Sequence, residues 1–111
     1  YLNYAPSAEE VNDYAASYTG RIGQVTKWFK GYPNGCKDID PHLNNIDIPV
    51  HILWGDQDAF LKADNAERLH ARLPNSSLTI FKDCGHFFYQ DKCSDFTEVL
   101  QSWINGGYKS D

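Results

Sequence analysis

The sequence predicts an α/β fold in which two parallel strands carry flanking helices. Residues 49–53 and 77–81 are short, largely apolar runs bounded by turn-forming residues, which is typical of strands. Residues 63–73, which lie between them, have apolar side chains at helical spacing. A helix between two strands lets the strands lie parallel, so the loops that follow both strands emerge at one edge of the sheet. We therefore expect a ligand site at that edge.

A capping box marks the first of two helices expected before the strands. Ser7 is followed three residues later by Glu10, and in such a pair each side chain accepts a hydrogen bond from the other residue's backbone amide. The helix is predicted to continue to about residue 17, and Gly20 ends it.

The second helix is predicted over residues 22–30. Three residues that disfavour helices follow it, namely Gly31, Pro33 and Gly35. Residues 32–49 are therefore expected to form a loop, with a short helical turn over residues 41–45 as the alternative for that part.

Apolar patterns define the core elements that follow. The first strand is interrupted only by His51, which favours a strand covered on both faces. The helix over residues 63–73 is expected to bury Ala66, Leu69 and Leu73. A last helix is predicted over residues 91–105, ended by Gly106 and Gly107. Its buried stripe is expected to comprise Phe96, Val99, Leu100, Trp103 and Ile104.

The charge, the apolar stretches and the cysteines argue against a nucleic-acid partner, a membrane span and a metal site. The formal net charge is −5 without any cluster of Lys or Arg, which argues against a nucleic acid or an anionic membrane. No apolar stretch approaches the length of a membrane span. Cys36, Cys84 and Cys93 are an odd number with no Cys-x-x-Cys pair, so we expect reduced thiols in the cytoplasm and no metal site.

Two candidate catalytic residues follow the predicted strands. Asp58 ends the run Trp-Gly-Asp-Gln-Asp after the first strand, and His86 comes after Gly85 beyond the second. A buried carboxylate orients an imidazole and stabilises the imidazolium formed during turnover, so the pair represents two thirds of a hydrolytic triad. The structural alternatives are an Asp58 that only satisfies turn amides and a His86 that only hydrogen-bonds backbone. Asp56, the competing acid, is expected to form the turn.

Aromatic residues flank both candidates. Trp54, Phe60 and Phe87 are expected to line an apolar pocket for a small-molecule substrate. Filling of the core is the equally weighted alternative for each of them.

Four segments, in order and spacing, resemble the α/β-hydrolase fold superfamily. They are Ile-Pro-Val-His-Ile-Leu-Trp-Gly-Asp-Gln-Asp at 48–58, Asn-Ala-Glu-Arg-Leu at 65–69 with Leu-Pro-Asn at 73–75, Cys-Gly-His-Phe at 84–87, and a closing helix over 96–104. The resemblance covers roughly residues 46–106 and points to the branch with lid-bearing esterases, carbon–carbon bond hydrolases, epoxide hydrolases and haloalkane dehalogenases. It implies that Asp58 is the triad acid and His86 the base.

The resemblance also implies which parts lie elsewhere. In this family the nucleophile precedes the acid, and these residues contain no Gly-x-Ser-x-Gly elbow. We therefore expect a carboxyl-terminal portion of a hydrolase, with residues 1–45 as the end of a lid and its return segment and residues 46–111 as core. Its expected partners are a small-molecule substrate and the missing amino-terminal part of the same hydrolase, and no cofactor is required.

The identity of the nucleophile stays open at this point. A serine would imply ester or carbon–carbon hydrolysis, whereas an aspartate would imply dehalogenation or epoxide opening. A second class of function is a small non-catalytic α/β module that binds a partner through a sheet edge or its aromatic surface. A hydrolase relative without activity is the third.

Overall fold

The computed structural model describes residues 1–109, which form two compact units. Residues 1–4 belong with the chain from residue 44 onward, and residues 5–43 form the other unit. We expected residues 1–4 to group with the helices that follow them, but they group with the strands. The assignment of those helices to a lid stays a prediction.

Helix α1 spans Ala8–Tyr18 and begins as its sequence predicts. The Ser7 hydroxyl accepts the Glu10 backbone N–H at 3.2 Å, and the Glu10 carboxylate accepts the Ser7 N–H at 2.7 Å. These two bonds satisfy amides that the first helical turn leaves without a partner. The chain leaves the helix through Thr19 and a left-handed Gly20, with φ of 73°.

Helix α2 spans Ile22–Ile39, so the predicted end at residue 30 and the loop from residue 32 are wrong. Pro33 lies inside the helix. An interior proline removes one backbone hydrogen bond without making the helix impossible. The apolar spacing continues past it, with Val25, Trp28, Tyr32, Cys36 and Ile39 three or four residues apart. A 3₁₀ helix, Asp40–Asn45, then supplies the short turn that was the alternative to a loop.

The strands β1 (Val50–Gly55) and β2 (Ser76–Phe81) are parallel neighbours, as predicted. Their register runs from Val50 opposite Ser76 to Gly55 opposite Phe81. Helix α3, Asp64–His70, connects them and ends before the predicted residue 73. Pro74 disfavours helical backbone at Leu73, which accounts for the absence of that residue from the helix.

The core is small and lies around the two strands. Its buried apolar residues are Ile52, Ala66, Leu73, Phe81 and Cys84. In β1 only two residues, Ile52 and Gly55, are fully buried, so the expected cover on both faces is wrong. Within residues 1–109 the sheet has two strands, and its flanking helices leave the remaining strand residues half-buried.

The chain after β2 forms two helices where one was predicted. Helix α4 spans Phe88–Asp91 and helix α5 spans Cys93–Asn105, with Lys92 between them in a non-helical conformation (φ −135°, ψ 54°). No residue of α5 is fully buried, and Ile104, expected inside, is 46% exposed. Gly106 and Gly107 end α5 as predicted, Gly107 with φ of 71°.

Among residues 1–109, no helix combines the length and apolar character required to cross a membrane.

Candidate active site

The loop after β1 buries the carboxylate of Asp58 and fixes both of its oxygens. Its side chain is 4% exposed. Oδ1 accepts the backbone N–H groups of Phe60 at 2.8 Å and Leu61 at 2.9 Å. Oδ2 lies 2.7 Å from Nδ1 of His86, which is a hydrogen-bond distance. The carboxylate is therefore held by its own loop and joined to the histidine.

Electrostatics keep Asp58 ionised. Burial acts to raise the pKa of Asp58, but hydrogen bonds from the Leu61 amide, His86 and the Phe60 amide outweigh it and hold the pKa below its ordinary value. A carboxylate can only accept a hydrogen bond, so its partner Nδ1 must carry a proton, and in a neutral imidazole with this tautomer the lone pair lies on Nε2. That arrangement suits a general base.

The two loops of the site are joined by backbone contacts. Gln57 N–H donates to Cys84 O at 2.9 Å, and Asp56 N–H donates to Phe81 O at 2.9 Å. A Cβ on Gly55 would clash with the carbonyl oxygen of Gly85 and lie 2.6 Å from that of Cys84. Only glycine therefore permits this approach at the end of β1.

Asp56 occupies a different environment from Asp58. Its Oδ1 accepts the Cys84 N–H at 3.3 Å, and its Oδ2 lies 3.8 Å from Nζ of Lys82. Asp56 thus connects the loop after β1 to the loop after β2.

Aromatic rings flank the His86 imidazole on two sides. The rings of Phe60 and Phe87 each lie edge-on to it, with centroids 5.4 Å away. Phe60 is 79% exposed. Trp54 instead donates its Nε1–H to Leu61 O at 2.8 Å and so supports the loop that holds Asp58. Substrate contact by these three residues stays a prediction.

The other three histidines lie in different settings. His51 Nε2 pairs with Thr79 Oγ1 at 2.9 Å across the strands, and burial lowers the pKa of His51. His70 Nδ1 pairs with Ser76 Oγ at 2.8 Å, and His42 is exposed in the 3₁₀ helix. Residues 1–109 contain no group of three or more His, Cys, Asp or Glu side chains arranged to hold a metal ion.

Two residues beside the site were not singled out by sequence reasoning. Tyr1 stacks on Phe87 with ring centroids 4.8 Å apart, and Asp91 accepts the backbone N–H of Gly85 at 2.9 Å. No local pattern marks either residue, because Phe87 is distant from Tyr1 in sequence and most partners of Asp91 are distant from it.

The family model for the alpha/beta hydrolase fold matches residues 9–92. A 2-hydroxy-6-oxononadienedioate/2-hydroxy-6-oxononatrienedioate hydrolase of Klebsiella pneumoniae is 31% identical over 83 residues, which are 75% of this chain and 29% of that protein. One of the same name, numbered 2, from Pseudomonas putida is 33% identical over 72 residues, 65% of this chain and 25% of that protein.

An uncharacterized protein of Mycobacterium bovis is also similar, at 36% identity over 58 residues, 52% of this chain and 17% of that protein. The chain thus matches less than a third of the length of each of these relatives. The family model, by contrast, covers most of the chain. The predicted resemblance is confirmed, and the chain belongs to the α/β-hydrolase fold family.

Proposed function

We propose that this chain supplies the acid and the base of a hydrolase that cleaves small-molecule substrates through a nucleophile–His–Asp triad. Asp58 is the acid and His86 the base, and the nucleophile comes from a part of the protein outside these 111 residues. The observation that carries the proposal is the 2.7 Å contact between His86 Nδ1 and the buried Asp58 carboxylate.

The chemistry follows from which nitrogen is free. With Nδ1–H donated to Asp58, Nε2 of His86 takes a proton from a hydroxyl nucleophile as the new bond to substrate carbon forms, and Asp58 stabilises the resulting imidazolium. The imidazolium then gives the proton to the leaving group as the bond between that group and the substrate carbon breaks, and a water molecule deprotonated by His86 releases the other product from the nucleophile. With a carboxylate nucleophile, His86 instead takes a proton from the water that resolves the covalent intermediate.

The names of the relatives indicate which substrate to test first. Two of them are named for hydrolysis of 2-hydroxy-6-oxononadienedioate and the corresponding trienedioate. We propose a substrate of this hydroxy-oxo-dienedioate class, with its conjugated chain against Phe60 and Phe87. Helices α1 and α2 precede the site in the chain, and we propose them as the end of a lid.

The sharpest test compares two aspartates in the complete protein that contains this chain. Asp58→Asn is expected to reduce turnover by up to about 10⁴-fold, because an amide holds the imidazole in the wrong tautomer. Asp56→Asn removes the same charge two residues away and should reduce turnover far less, since its carboxylate contacts Cys84 and Lys82. Steady-state kinetics would measure both variants, and His86→Ala should abolish most of the chemistry.

Thermal unfolding of the variants serves as the control for folding. Equal losses of turnover in Asp58→Asn and Asp56→Asn, with the fold intact, would show that Asp58 is not the acid. Full activity in His86→Ala would refute the proposed triad altogether.

A further inference from the structure

The carboxylate of Asp91 gathers backbone amides from two distant parts of the chain. Oδ1 accepts the N–H groups of Leu2 at 2.9 Å, Asn3 at 2.7 Å and Tyr4 at 2.9 Å. Oδ2 accepts the N–H of Gly85 at 2.9 Å and shares that of Leu2, also at 2.9 Å. We call Asp91 with these four amides the Asp91 clamp.

The Asp91 clamp acts directly beside His86, because Gly85 is the preceding residue. A Cβ on Gly85 would lie 3.3 Å from Asp91 Oδ2, which is closer than most Cβ contacts, and 3.4 Å from the nitrogen of Leu2, which is about van der Waals contact. Residues 82–87, between β2 and α4, form the loop that carries His86, and we call them the histidine loop. Glycine at position 85 therefore lets the Asp91 carboxylate and residues 1–4 come this near to the histidine loop.

Residues 1–4 also hold the histidine loop on both sides of His86. Before it, Asn3 Nδ2 donates to the carbonyl oxygen of Asp83 at 2.6 Å. After it, the Tyr1 ring stacks on Phe87. Asp83 has a left-handed backbone with φ of 56°, a conformation that needs support from its surroundings.

We propose that Asp91 is a positioning residue for His86, which acts through the Asp91 clamp to keep the imidazole against Asp58. The hydrogen bonds are charge-assisted, and several converging amides form a concave site that favours an anion. The consequence for catalysis rests on the proposed function, whereas the effect on the geometry of His86 does not.

Ionisation of Asp91 is part of this role. Burial acts to raise the pKa of Asp91, but the amides of Gly85, Asn3, Leu2 and Tyr4 outweigh it and hold the pKa below its ordinary value. An asparagine at this position would keep one acceptor oxygen and turn an NH₂ group toward N–H donors. The Asp91 clamp would then lose acceptors for some of its four amides.

The test uses ¹⁵N NMR of the histidine ring in the complete protein, because imidazole nitrogen shifts report which nitrogen carries the proton. In the unaltered protein we expect the Nδ1–H form of His86 throughout. Asp91→Asn should give a mixture of tautomers and reduce kcat by up to about 10²-fold with KM within about twofold, since a small displacement of a catalytic group has this effect. Asp95→Asn, an exposed charge on α5, is the matched control and should change neither.

A conservative variant separates positioning from general stability. Asp91→Glu retains the charge and both acceptor oxygens, so it should restore a large part of the Nδ1–H form and of kcat. A folded Asp91→Asn with unaltered tautomer and kcat would overturn the proposal.

If Asp91→Asn does not fold, Gly85→Ala decides the question instead. Its added Cβ would lie 3.3 Å from Asp91 Oδ2 and displace the carboxylate from the Gly85 amide, so the tautomer should shift in the same direction, and no shift in the folded variant would overturn the proposal. If the unaltered protein hydrolyses no dienedioate or ester, the proposed function fails, and the tautomer measurement still tests the Asp91 clamp.

Discussion

At the end of β1, Gly55 faces the backbone of the loop that carries His86. The carbonyl groups of Cys84 and Gly85 occupy the space that a side chain on Gly55 would need. Both obstacles are backbone atoms, which move only if the whole loop moves. The separation of Asp58 and His86 therefore depends on a residue that contributes no functional group.

A pair of glycine substitutions tests this dependence. Gly55→Ala should destabilise the complete protein by about 1–3 kcal/mol, as overpacking does, and should lower turnover by moving His86 away from Asp58. Gly31→Ala, in α2, meets no atom within 4 Å and should stabilise the protein by about 0.5–1 kcal/mol. Urea unfolding and steady-state kinetics measure the two effects. Equal changes of stability in both variants would contradict the inference that a side chain at position 55 displaces the loop that carries His86.

The sequence could identify Asp58 and His86 because each carries a local signal. Both residues follow an apolar strand, and Gly85 directly precedes the histidine. Asp91 has no such signal, because three of the four amides that it binds are 87–89 residues away. Trp54 was recognised as an aromatic residue near the site, but its bond to Leu61 depends on the path of a loop that periodicity does not describe.

Among the elements, α2 departs most from its sequence pattern. Its glycines and Pro33 are local signals for a break, whereas the apolar spacing through Ile39 favours continuation, and the latter prevails. The opposite occurs after β2. There the sequence predicts one continuous helix from residue 91, but Lys92 is non-helical and separates α4 from α5. Strand positions and pairing were predictable because turn-forming residues bound both apolar runs and a helical pattern separates them, while helix ends depend on contacts that the local pattern lacks.

Proline substitutions in the complete protein test the interpretation of α2. Pro33→Ala should restore an interior hydrogen bond and raise the amide hydrogen-exchange protection of α2 by up to about 10²-fold, since an interior proline costs a helix about 3 kcal/mol. Pro41→Ala, in the first turn of the 3₁₀ helix, should change protection little, because proline is tolerated in a first turn. Similar protection in α2 with and without Pro33 would show that the helix is not limited by this residue.

The whole molecule pairs a small core with a narrow sheet. Residues 1–109 form two strands, and each of them leaves one edge unpaired. Two-stranded sheets are marginally stable, and open edges promote association between chains. Large exposed apolar side chains add to this tendency, among them Ile22, Trp28, Phe29, Ile48 and Phe60.

Calorimetry of the 111-residue chain alone tests this view of its stability. We expect a broad transition whose van't Hoff enthalpy does not match the calorimetric enthalpy, concentration-dependent aggregation, and no hydrolytic turnover. The complete protein is the control and should unfold more sharply. A two-state transition of a monomer, or esterase activity from the chain alone, would contradict the expectation.

The Asp91 clamp also bears on the order in which the site assembles. The bond between Asp58 and His86 joins residues 28 apart in sequence, whereas the bond between Leu2 and Asp91 spans 89 residues. Closing the longer loop costs about 1 kcal/mol more in chain entropy. The acid and the histidine can therefore meet as soon as β1, α3 and β2 have associated, while the amides of residues 2–4 arrive later. Each newly folded molecule would pass through a stage at which its base is paired with Asp58 but not yet anchored by the Asp91 clamp, and the last contacts to form would be those between residues 2–4 and Asp91.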